Sequence, residues 1–183
     1  GKKFNIPIIC VGNIYIGGTG KTPTSIFLAN RLEKMGRKPV ILRKYYDSHV
    51  DEHGLIKSKF KNIILDKDRI NGINTSLKNN YDSVILDDGF QDYAIKKDLN
   101  IICFNRNQLI GNGMVLPSGP LREGLSSLRR ADIIIINGDR SVEFENKVLK
   151  INKNLQFFYS NYVPLNINEF KNKKLLAIAG IGN

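Results

Sequence analysis

Lys21 and Thr22 close the run Gly17-Gly18-Thr19-Gly20-Lys21-Thr22, an order of residue types suited to holding phosphate. The phosphate-binding loop pattern is G-x-x-x-x-G-K-[ST]. Gly20, Lys21 and Thr22 match it; Tyr15 stands at the first glycine position, and Gly17 and Gly18 partly offset that loss. Glycines let backbone N–H groups converge closely on phosphate oxygens. A helix opening at the end of the run adds the positive end of its dipole. Lys21 is then expected at the β- and γ-phosphates of ATP, and Thr22 on Mg²⁺. The competing reading is a glycine-rich turn with a chance Gly-Lys-Thr. The required order of strand, loop and helix argues against it.

A second signal is Val84-Ile85-Leu86-Asp87-Asp88. Carboxylates at the C-terminal end of a buried strand form the Walker B arrangement. They bring negative charge beside the phosphate loop, on Mg²⁺ directly or through water. A plain turn, Asp87-Asp88-Gly89, is the alternative. Pro117-Ser118-Gly119-Pro120-Leu121-Arg122-Glu123 reads as a rigid loop near the strand ends. There Arg122 could neutralise phosphate charge, and Glu123 could reach the metal or the nucleotide. A surface loop with a solvated Arg-Glu pair is the competing reading.

These residues need a scaffold. Ile6–Gly12, Pro39–Leu42, Asn62–Leu65, Ser83–Leu86, Leu99–Phe104, Asp132–Ile136, Gln156–Tyr159 and Leu175–Ala179 read as short apolar strands. Thr22–Gly36, Asp68–Asn79 and Ser141–Lys150 read as helices, the first with Ile26, Leu28, Ala29, Leu32 and Met35 at helical spacing. Ser126–Ala131 reads as one helical turn, and Asn105–Glu123 as a loop too long for a plain connector. Strands apolar throughout, alternating with helices, predict an α/β fold with a mostly parallel sheet covered on both faces. With the phosphate loop, this becomes a P-loop NTPase-like three-layer sandwich.

Composition excludes several classes. The chain has 183 residues, 42% hydrophobic and 25% charged, the balance of a globular domain. Its aliphatic runs, such as Ile133–Ile136, fall far short of the ~20 residues a spanning helix needs. No secretory signal opens it. Cys10 and Cys103 lie in apolar runs and read as buried thiols in a reducing compartment. The net charge of +11 suggests an anionic partner. Ile (25), Asn (21) and Lys (19) are all encoded by AT-rich codons, so codon composition is an equal explanation for the lysines. The basic residues are scattered, and no recognition helix or aromatic platform for nucleic acid appears.

Val11-Gly12-Asn13, Gly17–Pro23, Asp87-Asp88-Gly89-Phe90-Gln91, Gly111-Asn112-Gly113, Pro117–Glu123 and Ala179-Gly180-Ile181-Gly182-Asn183 occur in this order. Together they resemble the tetraacyldisaccharide 4′-kinase family, the lipid A 4′-kinases of Gram-negative bacteria. The likeness runs from about Ile6 to Asn183. It implies ATP-dependent phosphorylation of the 4′-hydroxyl of a tetra-acylated glucosamine disaccharide 1-phosphate, with Mg²⁺, at the cytoplasmic face of the inner membrane. The implied partners are that lipid and an anionic membrane surface, with no nucleic acid, and the implied state is a monomer. A P-loop phosphotransferase for a soluble small molecule is the alternative.

The resemblance also implies roles. Lys21, Arg122 and Asp51 would be catalytic, with Asp51 as the base that accepts the 4′-hydroxyl proton. Gly17, Gly18, Thr19, Gly20, Lys21, Thr22, Gln91 and Arg69 would bind nucleotide. Thr22, Asp87, Asp88 and Glu123 would serve the metal. Three departures stand out: Arg43-Lys44-Tyr45-Tyr46 replaces the family's Arg-Gly-Tyr-Gly, Val50 replaces a glycine before Asp51-Glu52, and Asp92 replaces a histidine after Gln91. His49 and His53 read as surface loop residues. Residues 1–160 are expected to form the kinase domain, and 161–183 a hinge and the start of a truncated C-terminal domain. An opening at Gly1 without Met, and an end straight after a strand-like run, are read as marks of a fragment.

Overall fold

The computed structural model describes residues 1–46, 56, 58–163, 168, 171 and 174. Among the described residues seven strands are interspersed with helices: β1 (Ile8–Gly12), α1 (Lys21–Lys34), β2 (Pro39–Lys44), β3 (Ile63–Asp66), α2 (Arg69–Lys78), β4 (Ser83–Asp87), β5 (Leu99–Asn105), β6 (Ile133–Asn137), α3 (Val142–Leu149) and β7 (Gln156–Ser160). A 3-10 helix, Leu125–Arg130, precedes β6. The sheet order is β3-β2-β4-β1-β5-β6-β7, and every neighbouring pair is parallel.

Alternation along the strands builds three layers. Ile8 and Cys10, Val40 and Leu42, Val84 and Leu86 face one side, where Ile73 of α2 and Phe144 and Val148 of α3 cover them. Val11, Ile41 and Ile85 face the other side, beneath Ile26, Leu28, Ala29 and Leu32 of α1. With both faces covered, inward and outward positions are equally apolar. Each fully buried Val, Leu or Ile contributes roughly 1.5–3 kcal/mol relative to exposure, so the sheet interior is the main stabilising mass.

The observed ends of most elements differ from the sequence expectations by one or two residues. The first helix starts at Lys21 rather than Thr22 and ends at Lys34. Met35 follows that end and is 67% exposed rather than part of the apolar face. The expected strand Leu175–Ala179 lies outside the described residues, as do Asp51, His49, His53 and most of 164–183.

Because all strands run parallel, β1, β2 and β4 deliver Gly12, Lys44 and Asp87 to one edge of the sheet. That edge carries the candidate site, as expected for an open α/β sheet.

Candidate active site

The loop from β1 to α1 is shaped by asparagines. Asn13 is fully buried, and its Nδ2 donates to the carbonyl of Tyr15 at 2.6 Å and to Thr19 Oγ1 at 3.0 Å. Asn137, at the end of β6, donates from Nδ2 to the Thr19 carbonyl at 2.6 Å. Gly17 and Gly20 have φ of 108° and 86°, in the region that disfavours side chains. A Cβ on Gly20 would stand 1.8 Å from Asn137 Nδ2. Thr19 is therefore turned inward and fixes the loop's shape, while Gly20 gives way to the asparagine behind it.

Gly20 is the N-cap of α1 and supplies no side-chain cap, and the first turn carries no acid. Pro23 fits there because the first-turn N–H groups lack intrahelical partners anyway. The helix thus opens with N–H groups and a positive dipole end toward an anion.

Lys21 and Thr22 face the end of β4. Asp87 is fully buried. Its Oδ1 accepts from Ser25 Oγ at 3.0 Å; its Oδ2 accepts from Thr22 Oγ1 at 3.1 Å and Arg43 Nη1 at 2.8 Å. Burial pushes its pKa up, and the Arg43 charge and the Ser25 hydrogen bond oppose that push. Asp88 adopts φ 58°, left-handed backbone that costs about 1–2 kcal/mol. Strain of this kind gathers at functional sites. Arg122 Nη1 donates to both Asp88 oxygens at 2.9 and 3.0 Å, and Lys21 Nζ lies 3.7 Å away. Burial raises the Asp88 pKa, yet Lys21, Arg122 and Arg69 together outweigh burial and leave the carboxyl below its ordinary value. The Lys21 pKa is lowered, by burial first, with Asp88 opposing.

Arg122 is held by the long loop. Leu121 is fully buried. The Arg122 N–H donates to the Ile14 carbonyl at 2.7 Å and the Ile16 N–H to the Pro120 carbonyl at 2.9 Å. Asn112 ties the loop to itself, accepting from Met114 N at 3.0 Å and donating to the Ser118 carbonyl at 3.0 Å. The loop is thus stitched to the phosphate loop.

Arg69 opens α2, next to the Asp68 cap that accepts from Ile70 N at 2.8 Å. It donates to the Asp88 carbonyl at 2.7 Å and to Asp92 at 3.3 Å. Gln91 Nε2 donates to the Asn13 carbonyl at 2.8 Å. Arg43, Lys44, Tyr46, Arg69, Asp87 and Asp88 line a cleft of about 570 Å³, with Gln91, Asp92 and Arg122 beside them.

Glu123 is placed differently. It accepts from Tyr93 Oη at 2.8 Å and from Arg130, whose guanidinium lies between the Phe90 and Tyr93 rings at 4.1 and 4.4 Å. Like Lys21 and Thr22, it does not line that cleft. The arrangement gathers Gly17, Gly18, Gly20, Lys21, Thr22, Arg69, Asp87, Asp88, Gln91 and Arg122 at one sheet edge. Ser25, Asn13 and Asn137 join them unforeseen. Arg43 was assigned no role; its signal in the sequence is the match to the arginine of the family's Arg-Gly-Tyr-Gly.

Thr22, Asp87 and Asp88 offer hydroxyl and carboxylate oxygens, the hard donors that suit Mg²⁺. So small a set suits a cation that draws its other ligands from phosphate and water.

Comparisons with known proteins point to one family. A family model described as Tetraacyldisaccharide-1-P 4'-kinase matches residues 1–183. The chain is 40% identical over 185 residues to a tetraacyldisaccharide 4'-kinase of Pelagibacter ubique, spanning all of this chain and 59% of that protein. It is 33% identical over 201 residues to the Shewanella sediminis protein of the same name, spanning 58% of it. The crystal structure of LpxK from Aquifex aeolicus in complex with ATP superposes with a TM-score of 0.65 and 30% identity, over 74% of this chain and 49% of that one. The chain therefore spans about three-fifths of the length of the curated relatives it matches.

Proposed function

The chain belongs to the tetraacyldisaccharide-1-P 4'-kinase family, and on that footing we propose that its protein phosphorylates the 4′-hydroxyl of a tetra-acylated glucosamine disaccharide 1-phosphate from ATP. The observation that carries the reading is the pairing of Lys21 and Thr22, in the first turn of α1, with Asp88 and Asp87 at the end of β4. Phosphoryl transfer of this kind needs positioning and charge neutralisation rather than a covalent intermediate.

The loop N–H groups and Lys21 hold the β- and γ-phosphates. Thr22, Asp87 and Asp88 hold Mg²⁺, which when bound neutralises charge on the phosphate oxygens. Arg122 and Arg69 line the cleft beside them and neutralise charge gathering on the transferred group. Asp51 accepts the 4′-hydroxyl proton; its segment lies outside the described residues. Gln91 ties the cleft wall to the phosphate loop through Asn13. Glu123 keeps the metal role that the family resemblance gives it, its Oε1 buried with no hydrogen-bond partner among the described residues.

The reaction is placed at the cytoplasmic face of the bacterial inner membrane, on a monomer. The lipid character of the substrate supports this, and the +11 charge suits an anionic surface. No helix among the described residues is long and apolar enough to cross a membrane.

The test uses the protein at full length with γ-labelled ATP and the tetra-acylated disaccharide 1-phosphate, beside Lys21→Ala and Asp51→Ala. Labelled lipid, lost in both variants, is the expected result. Loss with Lys21→Ala alone would keep the kinase and reject Asp51. A folded, ATP-binding protein that labels no lipid would overturn the reading in favour of a soluble-substrate phosphotransferase.

A further inference from the structure

Arg43, the residue before the end of β2, stands directly opposite Asp87 in the register of β4. Its side chain is 10% exposed. Nη1 donates to Asp87 Oδ2 at 2.8 Å and to Thr22 Oγ1 at 3.2 Å. Those are two of the oxygens that a divalent cation would use. The Thr22 hydroxyl has a single hydrogen, directed to Asp87 at 3.1 Å. Its lone pairs remain for a cation, and Arg43 engages them. A guanidinium cannot be deprotonated in a protein, so a full positive charge already stands between Thr22 and Asp87.

We propose that Arg43 is a positioning residue of the metal site, occupying the cation position between Thr22 and Asp87 when nucleotide is absent and yielding it to the divalent cation that arrives with ATP. This rests on the reading of the site as one for ATP and Mg²⁺. Two physical needs meet here. A carboxylate as buried as Asp87 is stabilised by a cation beside it, which offsets lost hydration. A divalent ion and a guanidinium cannot share the same two oxygens without strong repulsion. Arg43 therefore places a positive charge against Asp87 and holds Thr22 oriented in the resting protein. It also raises the cation concentration needed to fill the site without nucleotide. Once displaced, the guanidinium stays in the cleft, whose wall Arg43 forms with Arg69 and Arg122.

The experiment measures Mn²⁺ binding to the full-length protein at pH 8 without nucleotide or lipid, from the spin-resonance signal of free Mn²⁺. Wild type is compared with Arg43→Met and Arg43→Lys, with circular dichroism to establish folding. Arg43→Met is expected to bind Mn²⁺ about tenfold more tightly than wild type, the effect of one charge-assisted hydrogen bond no longer displaced. Arg43→Lys, which keeps the charge, is expected to stay near wild type. Calorimetry of ATP binding should show Arg43→Met reaching half-maximal affinity at lower Mg²⁺. Equal or weaker Mn²⁺ binding by Arg43→Met would overturn the proposal. If that variant does not fold, Arg43→Gln decides the matter on the same criterion. Neither readout involves lipid. A protein that phosphorylates the lipid but binds Mn²⁺ alike in both forms rejects only the role of Arg43; the Mn²⁺ difference without lipid labelling rejects only the lipid substrate.

Discussion

Arg122 Nη1 sits between the two carboxylate oxygens of Asp88, 2.9 Å from one and 3.0 Å from the other. One nitrogen thereby joins the loop that ends at Glu123 to the end of β4. The pair is about 30% exposed on each side, so its value to stability is small. Arg122→Ala should lower kcat/KM for lipid phosphorylation by about a hundredfold, the usual cost of one charge-stabilising donor. Its urea midpoint should move by less than about 1 kcal/mol equivalent. Steady-state kinetics beside urea denaturation would check both; a large stability loss with intact activity would contradict the assignment.

Gly20→Ala tests the loop's shape. The new Cβ would meet Asn137 Nδ2 at 1.8 Å, on a backbone with φ 86°. Left-handed backbone costs about 1–2 kcal/mol for an L-residue, and overlap adds about 1–3 kcal/mol. ATP affinity by calorimetry should fall at least about tenfold. Gly20→Ala combined with Asn137→Gly should recover only part of the loss of stability, since the overlap is then gone but the backbone term and the lost Asn137–Thr19 hydrogen bond remain.

Leu121→Ala acts at a distance from the chemistry. Leu121 is fully buried in the cluster with Ile14, Phe90 and Ile110. Truncation should cost about 2–5 kcal/mol. Because the next residue is Arg122, activity measured well below the unfolding temperature should fall as well. Normal activity in a destabilised Leu121→Ala protein would show that the loop's anchoring does not position Arg122.

The two thiols make a pH prediction. Burial pushes Cys10 up to about 12 and Cys103 up to about 11, from 9.0. The folded protein thus holds protons that the unfolded chain releases near pH 9. The resulting stability is full below pH 9 and is lost as pH rises through the folded values. Urea midpoints measured from pH 8 to 10.5 should fall, and Cys103→Ala should flatten the slope. Iodoacetamide at pH 8 should modify neither thiol until the protein is unfolded, by mass spectrometry.

Much of this was legible in the sequence, for a physical reason. A phosphate loop demands glycines, a lysine and a hydroxyl in fixed order, and a parallel sheet demands strands apolar on both faces. Lys21, Thr22, Asp87 and Asp88 therefore announced themselves. The partners that tune them did not. Arg43 meets Asp87 only because β2 lies beside β4, a pairing across 44 residues that no local pattern encodes. Asn137 reaches Thr19 from 118 residues away. Glu123 is adjacent to Arg122 in sequence yet is bound to Arg130 and Tyr93, because a loop can turn successive side chains to different partners. Met35 carries the helical spacing but falls after the helix has ended.

The strand order has a consequence for how the protein is made. β1 lies in the middle of the sheet, and its partners are β4 and β5, with Ile8 beside Val84 and Ile9 beside Leu99. In a nascent chain the strand beneath the phosphate loop must wait for its partners, Ile8 76 residues for Val84 and Ile9 90 residues for Leu99. Sheets closed by such distant pairings fold slowly. Until β4 arrives, Lys21 and Thr22 have no carboxylates to face. The carboxylate half of the site is thus made well after the phosphate loop that it faces.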